Sequence, residues 1–168
     1  CRDFSISLEV KDVDISLCRR ELGIESAARL KRYGALKEGL ASDEVLLCAH
    51  HQDDQAETLL LQLMRGTGVR GLAGMDGLVD SSDARILRPL LQVSRHDLYQ
   101  YATQNKLSWV EDESNHNTDF NRNYIRHCVM PVLRERWPAV SKTLSRATQN
   151  CRDADVLLQQ LAERDLQD

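Results

Sequence analysis

The stretch Val45-Leu46-Leu47-Cys48-Ala49-His50-His51-Gln52-Asp53-Asp54-Gln55-Ala56-Glu57-Thr58-Leu59-Leu60 decides how this chain is read. It opens on a short, continuous apolar run. Such runs fit a strand of a parallel sheet covered on both faces. A polar tip follows, and then Ala56, Leu59, Leu60, Leu63 and Met64 recur at helical spacing until Gly66 and Gly68 stop them. In open α/β sheets, ligands bind beyond the carboxyl ends of the strands. The polar tip from His50 to Asp54 sits at such an end.

The pattern extends in both directions. Upstream, Phe4, Ile6, Leu8 and Val10 alternate with Ser5, Ser7 and Glu9, which predicts a strand with one buried face. Ala27, Leu30, Tyr33, Leu36 and Leu40 form the apolar stripe of a helix from Ile24 to about Gly39, with Gly39 as its C-cap. Downstream, residues 66–77 hold five of the eight glycines and read as a loop. Ile86-Leu87 reads as a short strand. Ser94 with Asp97 resembles a capping box opening a helix through Leu98, Tyr101 and Ala102. Trp109-Val110 reads as another short strand, and residues 111–119 as an acidic loop. A helix is expected from Phe120 to Trp137, bent or broken at Pro131. Val140, Leu144, Ala147, Cys151, Ala154, Leu158 and Leu161 then repeat at 4-3 spacing, as in one long amphipathic helix. The expected fold class is α/β, a parallel sheet flanked by helices. Residues 1–137 read as its α/β part, and 138–168 as a connector helix toward a further domain.

Composition sets limits on function. Hydrophobic residues make up 42% of the 168, enough for a core, and no apolar run approaches the roughly 20 residues of a membrane-spanning helix. No membrane partner is expected. The formal net charge of −4 excludes a uniformly basic nucleic-acid coat but not a local basic patch. Five scattered cysteines without a CxxC read as free thiols in a reducing cytoplasm.

Four constellations carry candidate chemistry. Asp54 and Glu57 fall three residues apart and share a helix face. Paired carboxylates so placed can hold a hydrated Mg²⁺, and the helix N-terminus favours phosphate. The same two residues also fit a capping box, with Asp54 as N-cap and no chemistry implied. Two histidines before two aspartates at a strand end favour a site, because capping does not require them. Arg122 and Arg126, four residues apart, form a guanidinium pair suited to phosphate; a solvated helix face paired with the acidic loop explains them equally well. The glycines of 66–77 favour a turn over a phosphate loop. Arg29 is a single arginine on a helix.

Taken in order, His50-His51-Gln52-Asp53-Asp54-Gln55-Ala56-Glu57-Thr58, Arg65-Gly66-Thr67-Gly68, Gly71-Leu72-Ala73-Gly74-Met75, Arg88-Pro89-Leu90-Leu91, Trp109-Val110-Glu111-Asp112-Glu113-Ser114-Asn115 and Asn121-Arg122-Asn123 with Arg126 resemble the tRNA(Ile)-lysidine synthetase family. Gly23-Ile24-Glu25 with Ala28-Arg29 and Arg32-Tyr33 adds a further match, and the resemblance covers roughly residues 1–137. It implies an N-type ATP pyrophosphatase domain of the adenine nucleotide alpha hydrolase-like kind. It also implies ATP-dependent adenylation of a cytidine at the first anticodon position of a CAU-anticodon tRNA(Ile), followed by displacement of AMP by L-lysine. By the same resemblance His50, Asp54, Glu57, Arg122 and Arg126 are catalytic, Arg29 and Asp53 meet the nucleotide, and Asp54 and Glu57 hold Mg²⁺. A homodimer is a further expectation.

The family's Ser-Gly-Gly-x-Asp-Ser phosphate loop has no counterpart here, so the expectation is a fragment inactive by itself. Two other readings fit the same residues. One is a metal-dependent hydrolase built on His50, His51, Asp53 and Asp54. The other is a non-enzymatic RNA-binding module using the arginines of 122–136.

Overall fold

The computed structural model describes residues 5–14, 24–41, 43–80 and 85–167. The chain divides into two compact units, residues 1–46 with 80–85, and residues 47–79 with 86–168.

In the first unit, helix α1 (Ile24–Glu38) forms where its stripe predicts, with Ala27 fully buried. Residues 6–14 differ from expectation: they run as irregular chain, with Ile6, Leu8 and Val10 exposed. Alternation specifies which side chains a strand would bury, but a strand forms only where neighbours supply a ladder and cover. Phe4 lies outside the described residues.

Strands β1 (Val45–Leu47), β2 (Leu78–Asp80) and β3 (Arg85–Leu87) form a three-stranded sheet in the order β1-β3-β2. The Cys48 N–H donates to the Leu87 carbonyl just past the ends of β1 and β3, so these two run parallel. The Arg88 N–H donates to the Gly77 carbonyl, pairing the residue after β3 with the one before β2, so those two run antiparallel. The described sheet is therefore small and mixed rather than wholly parallel. β1 is also less covered than its apolar run suggests, since Val45 and Leu47 are exposed. A run of apolar residues permits burial on both faces, but its neighbours decide it.

In the second unit, α2 (Gln52–Met64) follows β1 directly. A one-turn helix, α3 (Val69–Leu72), sits inside the glycine-rich segment, where only loop was expected. Gly66, at φ +67, lets the chain leave α2 in a left-handed conformation that other residues resist. α4 (Arg95–Gln104) starts at Ser94, whose Oγ accepts the Asp97 N–H at 3.1 Å. Trp109-Val110 forms no strand, and Val110 is almost fully exposed. A two-residue apolar pair has too little ladder to hold a strand by itself.

The expected helix from Phe120 to Trp137 is present in three pieces: α5 (Asn121–Tyr124), a π-helical turn (Ile125–Val129) and α6 (Met130–Arg136). Pro131 explains the division. It lacks an N–H, and its ring would press on the carbonyl one turn back, so the widened turn relieves the ladder there.

Helix α7 (Val140–Asp165) packs its N-terminal half on α2 and α3. Ala56, Ile125, Met130 and Val140 form the core cluster, with Leu60, Leu61, Val129, Leu133 and Leu144 against it. That cluster joins α2, the π turn, α6 and α7. Truncating Met130, 1% exposed, to Ala would cost about 2–5 kcal/mol. Because Ile125 is anchored there, the arginines on either side of it are held at fixed positions over α2.

Candidate functional site

The local fold of α2 sets the site. Its N-cap is His51, not Asp54: the His51 side chain accepts the Asp54 N–H at 3.3 Å, and Asp54 Oδ2 accepts the His51 N–H at 3.0 Å. The capping box thus closes one turn earlier than the spacing suggested. Glu57 has no part in it and remains available for other work.

Asp54 and Glu57 then meet Arg122 and Arg126. Arg122 Nε donates to Glu57 Oε2 at 2.9 Å, and its Nη2 donates to Asp54 Oδ1 at 3.2 Å. Arg126 Nε donates to Glu57 Oε1 at 2.7 Å. Its Nη2 donates to Glu57 Oε2 at 2.8 Å and to Asp54 Oδ1 at 3.2 Å. Glu57 is 2% exposed and Asp54 9%. The Glu57 hydrogen bond raises the pKa of Arg126, the charges of Glu57 and Asp54 add to this, and desolvation opposes it. Buried charges persist in proteins when they are paired in this way, and removing one partner typically costs about 3–5 kcal/mol.

Two features give the cluster chemical potential. Among the described residues, neither arginine uses Nη1, and each side chain keeps 20% of its surface exposed. Oriented guanidinium donors at an opening can receive phosphate or developing negative charge. The carboxylates are placed differently from the donors. All four oxygens of Asp54 and Glu57 already accept a guanidinium or a backbone N–H. As arranged, this pair does not fit a shared Mg²⁺. Among the described residues no group of three or more His, Cys, Asp or Glu side chains is placed to hold a metal ion.

Asp53 points elsewhere. Its Oδ1 accepts from Arg134 Nη2 at 2.5 Å and Ser141 Oγ at 2.7 Å, and its Oδ2 accepts the Arg95 N–H at 2.8 Å. One carboxylate ties α2 to the start of α4, to α6 and to the start of α7. Desolvation by itself would raise its pKa, but the Arg95 N–H, the Ser141 hydroxyl and the Arg134 guanidinium together outweigh it and lower it. Expected to meet the nucleotide, Asp53 spends both oxygens on protein donors. His50 is half-buried between β1 and the His51 cap. Arg29 lies in the first unit, its guanidinium 4.9 Å from the centre of the Tyr33 ring.

Several supporting residues escaped sequence reasoning. Gln55, 2% exposed, donates to the Met75 carbonyl at 2.9 Å and accepts the Met75 N–H at 2.8 Å. Arg152 Nη2 donates to the carbonyls of Ala73 and Met75 at 2.8 and 2.7 Å. Gly74 adopts φ +68, and a Cβ there would lie 2.8 Å from Gln55 Oε1. These contacts make the glycine-rich segment a fixed element of the scaffold. Asn123 Nδ2 donates to the carbonyls of Ser114 and Asn117, each at 2.9 Å, and so pins the acidic loop to α5. A polar residue inside a run of helical or charged neighbours was the available signal, but its partner is distant in sequence.

The chain was also compared with known proteins. A family model described as the PP-loop domain matches residues 1–133. The tRNA(Ile)-lysidine synthase of Coxiella burnetii is 46% identical over 167 residues, 99% of this chain and 37% of that protein. The protein of the same name from Wigglesworthia glossinidia brevipalpis is 42% identical over 163 residues, 96% of this chain and 41% of its own length. That of Pseudomonas fluorescens is 42% identical over 166 residues, covering 99% and 37%. The chain spans about two fifths of the length of the curated relatives it matches.

Proposed function

This chain belongs to the PP-loop domain family, and from that premise we propose that it is part of the catalytic domain of a tRNA(Ile)-lysidine synthetase. In this reading the C2 oxygen of the first-anticodon cytidine of a CAU-anticodon tRNA(Ile) attacks the α-phosphorus of ATP, and pyrophosphate leaves. An amine of L-lysine then attacks C2, and AMP leaves. Adenylation turns a poor leaving group into a good one. The relatives of that name, alignable along nearly the whole chain, support the reading.

The observation that carries it is the Asp54–Glu57–Arg122–Arg126 cluster. Asp54 and Glu57 hold the two guanidiniums in place before any substrate arrives. Arg122 and Arg126 then offer their remaining donors to the phosphate charge that develops as pyrophosphate or AMP departs. Preorganised donors of this kind need no reorientation during reaction, and losing one typically costs 10²–10³ in rate. Arg29 is assigned a nucleotide contact, His50 a place beside the reacting base, and Asp53 the role of fixing α2 against α4, α6 and α7. The two carboxylates expected to hold Mg²⁺ are instead engaged by the arginines.

The same reading makes residues 1–137 the catalytic part and 138–168 a connector, with a homodimer acting in the cytoplasm. Among the described residues no helix is long and apolar enough to cross a membrane. The test is ATP-dependent transfer of labelled lysine to a tRNA(Ile) transcript by the full-length protein containing these residues. Transfer that depends on both ATP and the CAU anticodon is expected. Unchanged transfer after Arg126→Ala or Asp54→Ala contradicts the assignment of the site.

A further inference from the structure

Beside the ion-pair cluster lies a cavity of about 340 Å³. His51 and Arg126 line it where it meets the cluster, and its sides carry four aromatic rings. Tyr99 and Trp109 meet edge to face, with ring centres 5.5 Å apart. His116 and His127 stack at 5.8 Å, and His127 Nε2 lies 2.7 Å from the Asn115 carbonyl oxygen, which fixes its ring. A second cavity of about 610 Å³ shares Arg95, Tyr99 and Glu111 with the first and is also lined by Lys142. The two are parts of one groove within the second unit.

The composition of this groove is specific. Aromatic rings offer stacking faces to any base, and cations beside them track the backbone of a single strand. Among the described residues the Arg95 and Lys142 side chains pair with no carboxylate, so both charges are available. The nearby acids are mostly committed. Asp53 is engaged by three donors, and Asp112 accepts the Ser114 N–H at 2.9 Å. Glu111 makes no such bond among the described residues. A carboxylate at that place can accept from the exocyclic amine of cytosine, a group uracil lacks.

We propose that this groove holds one unpaired RNA nucleotide, its base among Tyr99, Trp109, His116 and His127 and its flanking phosphates against Arg95 and Lys142. The inference rests on the reading above that the substrate is an anticodon-loop nucleotide. It adds the residues that would take the base out of its stack and present it beside Arg126. Glu111 selects an amino-bearing base.

The test uses the full-length protein containing these residues and a labelled single-stranded RNA heptamer with cytidine at its centre, followed by fluorescence anisotropy. Tyr99→Ala is expected to weaken binding about tenfold, while Tyr99→Phe, which keeps the ring, binds as the parent does. An abasic centre should weaken binding to the same degree as Tyr99→Ala. Lys142→Ala should lower the slope of log affinity against log salt by about one. Glu111→Gln should narrow the preference for cytidine over uridine at the centre.

Equal binding of the abasic and intact heptamers overturns the proposal, as does parental affinity in Tyr99→Ala. Displacement of the heptamer by ATP at equal concentration also overturns it, since the base site would then serve the free nucleotide. A full-length protein that transfers no lysine yet binds the heptamer in a base-dependent way contradicts the ligase reading and leaves the groove standing. A working ligase indifferent to the base contradicts the groove alone.

Discussion

Asp53 and Asp54 are neighbours on α2, yet they serve opposite ends. Asp53 accepts from a backbone N–H, a hydroxyl and one guanidinium, and every partner belongs to a scaffold element it fastens. Asp54, with Glu57 on the same helix face, is held by two guanidiniums that keep donors to spare at an opening. The helix turns by about 100° between adjacent residues, and that rotation separates the two roles. Residue type therefore says little about a buried acid; the partners it is rotated toward decide whether it holds the fold together or supports chemistry.

The comparison breaks most visibly at Arg126. In the full-length protein, Arg126→Ala is expected to lower lysine transfer by about 10²–10³, with the fold intact by circular dichroism. Arg126→Lys should recover little of it, because an ammonium cannot reproduce the forked contact with Glu57. On the same side, Glu57→Ala leaves two guanidiniums partly buried over a missing charge. Urea denaturation should show a loss of about 3–5 kcal/mol.

Asp53 should behave as a structural group. Asp53→Asn is expected to cost about 1–3 kcal/mol near neutral pH, with transfer reduced in proportion to the fraction unfolded. Its pKa is depressed in the folded state. The stability it contributes is therefore present above the unfolded carboxylate value, near pH 4, and is lost as pH falls through the folded value. A plot of unfolding free energy against pH should accordingly be shallower below pH 4 in Asp53→Asn than in the parent. The smallest effect is expected at Gly66, away from both acids. Ala there meets no neighbour, so only the φ of +67 opposes it, at about 1 kcal/mol.

What the sequence revealed follows from how local each signal was. The strand at Val45 and the helices at Ile24, Gln52, Arg95 and Val140 were legible from apolar spacing, caps and glycine stops. The described part of the strand expected at residues 4–10, residues 6–10, and the strand expected at 109–110 are irregular chain, because a strand needs partners that its own alternation cannot name. The π turn was foreshadowed only by Pro131. At the site, Asp54, Glu57, Arg122 and Arg126 were all singled out, and the structure brings the four together. The sequence could not show that the acids face the arginines rather than a metal, since i, i+3 spacing suits either partner. Gln55, Asn123 and Arg152 were invisible for a related reason: each binds backbone atoms 6 to 79 positions away, and no motif marks such a partner.

The central claim is that Glu57 acts through Arg126. A double-mutant cycle on lysine transfer, with Glu57→Gln, Arg126→Ala and the pair, addresses it directly. If the two side chains work as one unit, the double variant will be no slower than the slower single variant. If the two losses multiply, each residue contributes independently, and the account of a carboxylate holding a guanidinium at the reacting centre is contradicted.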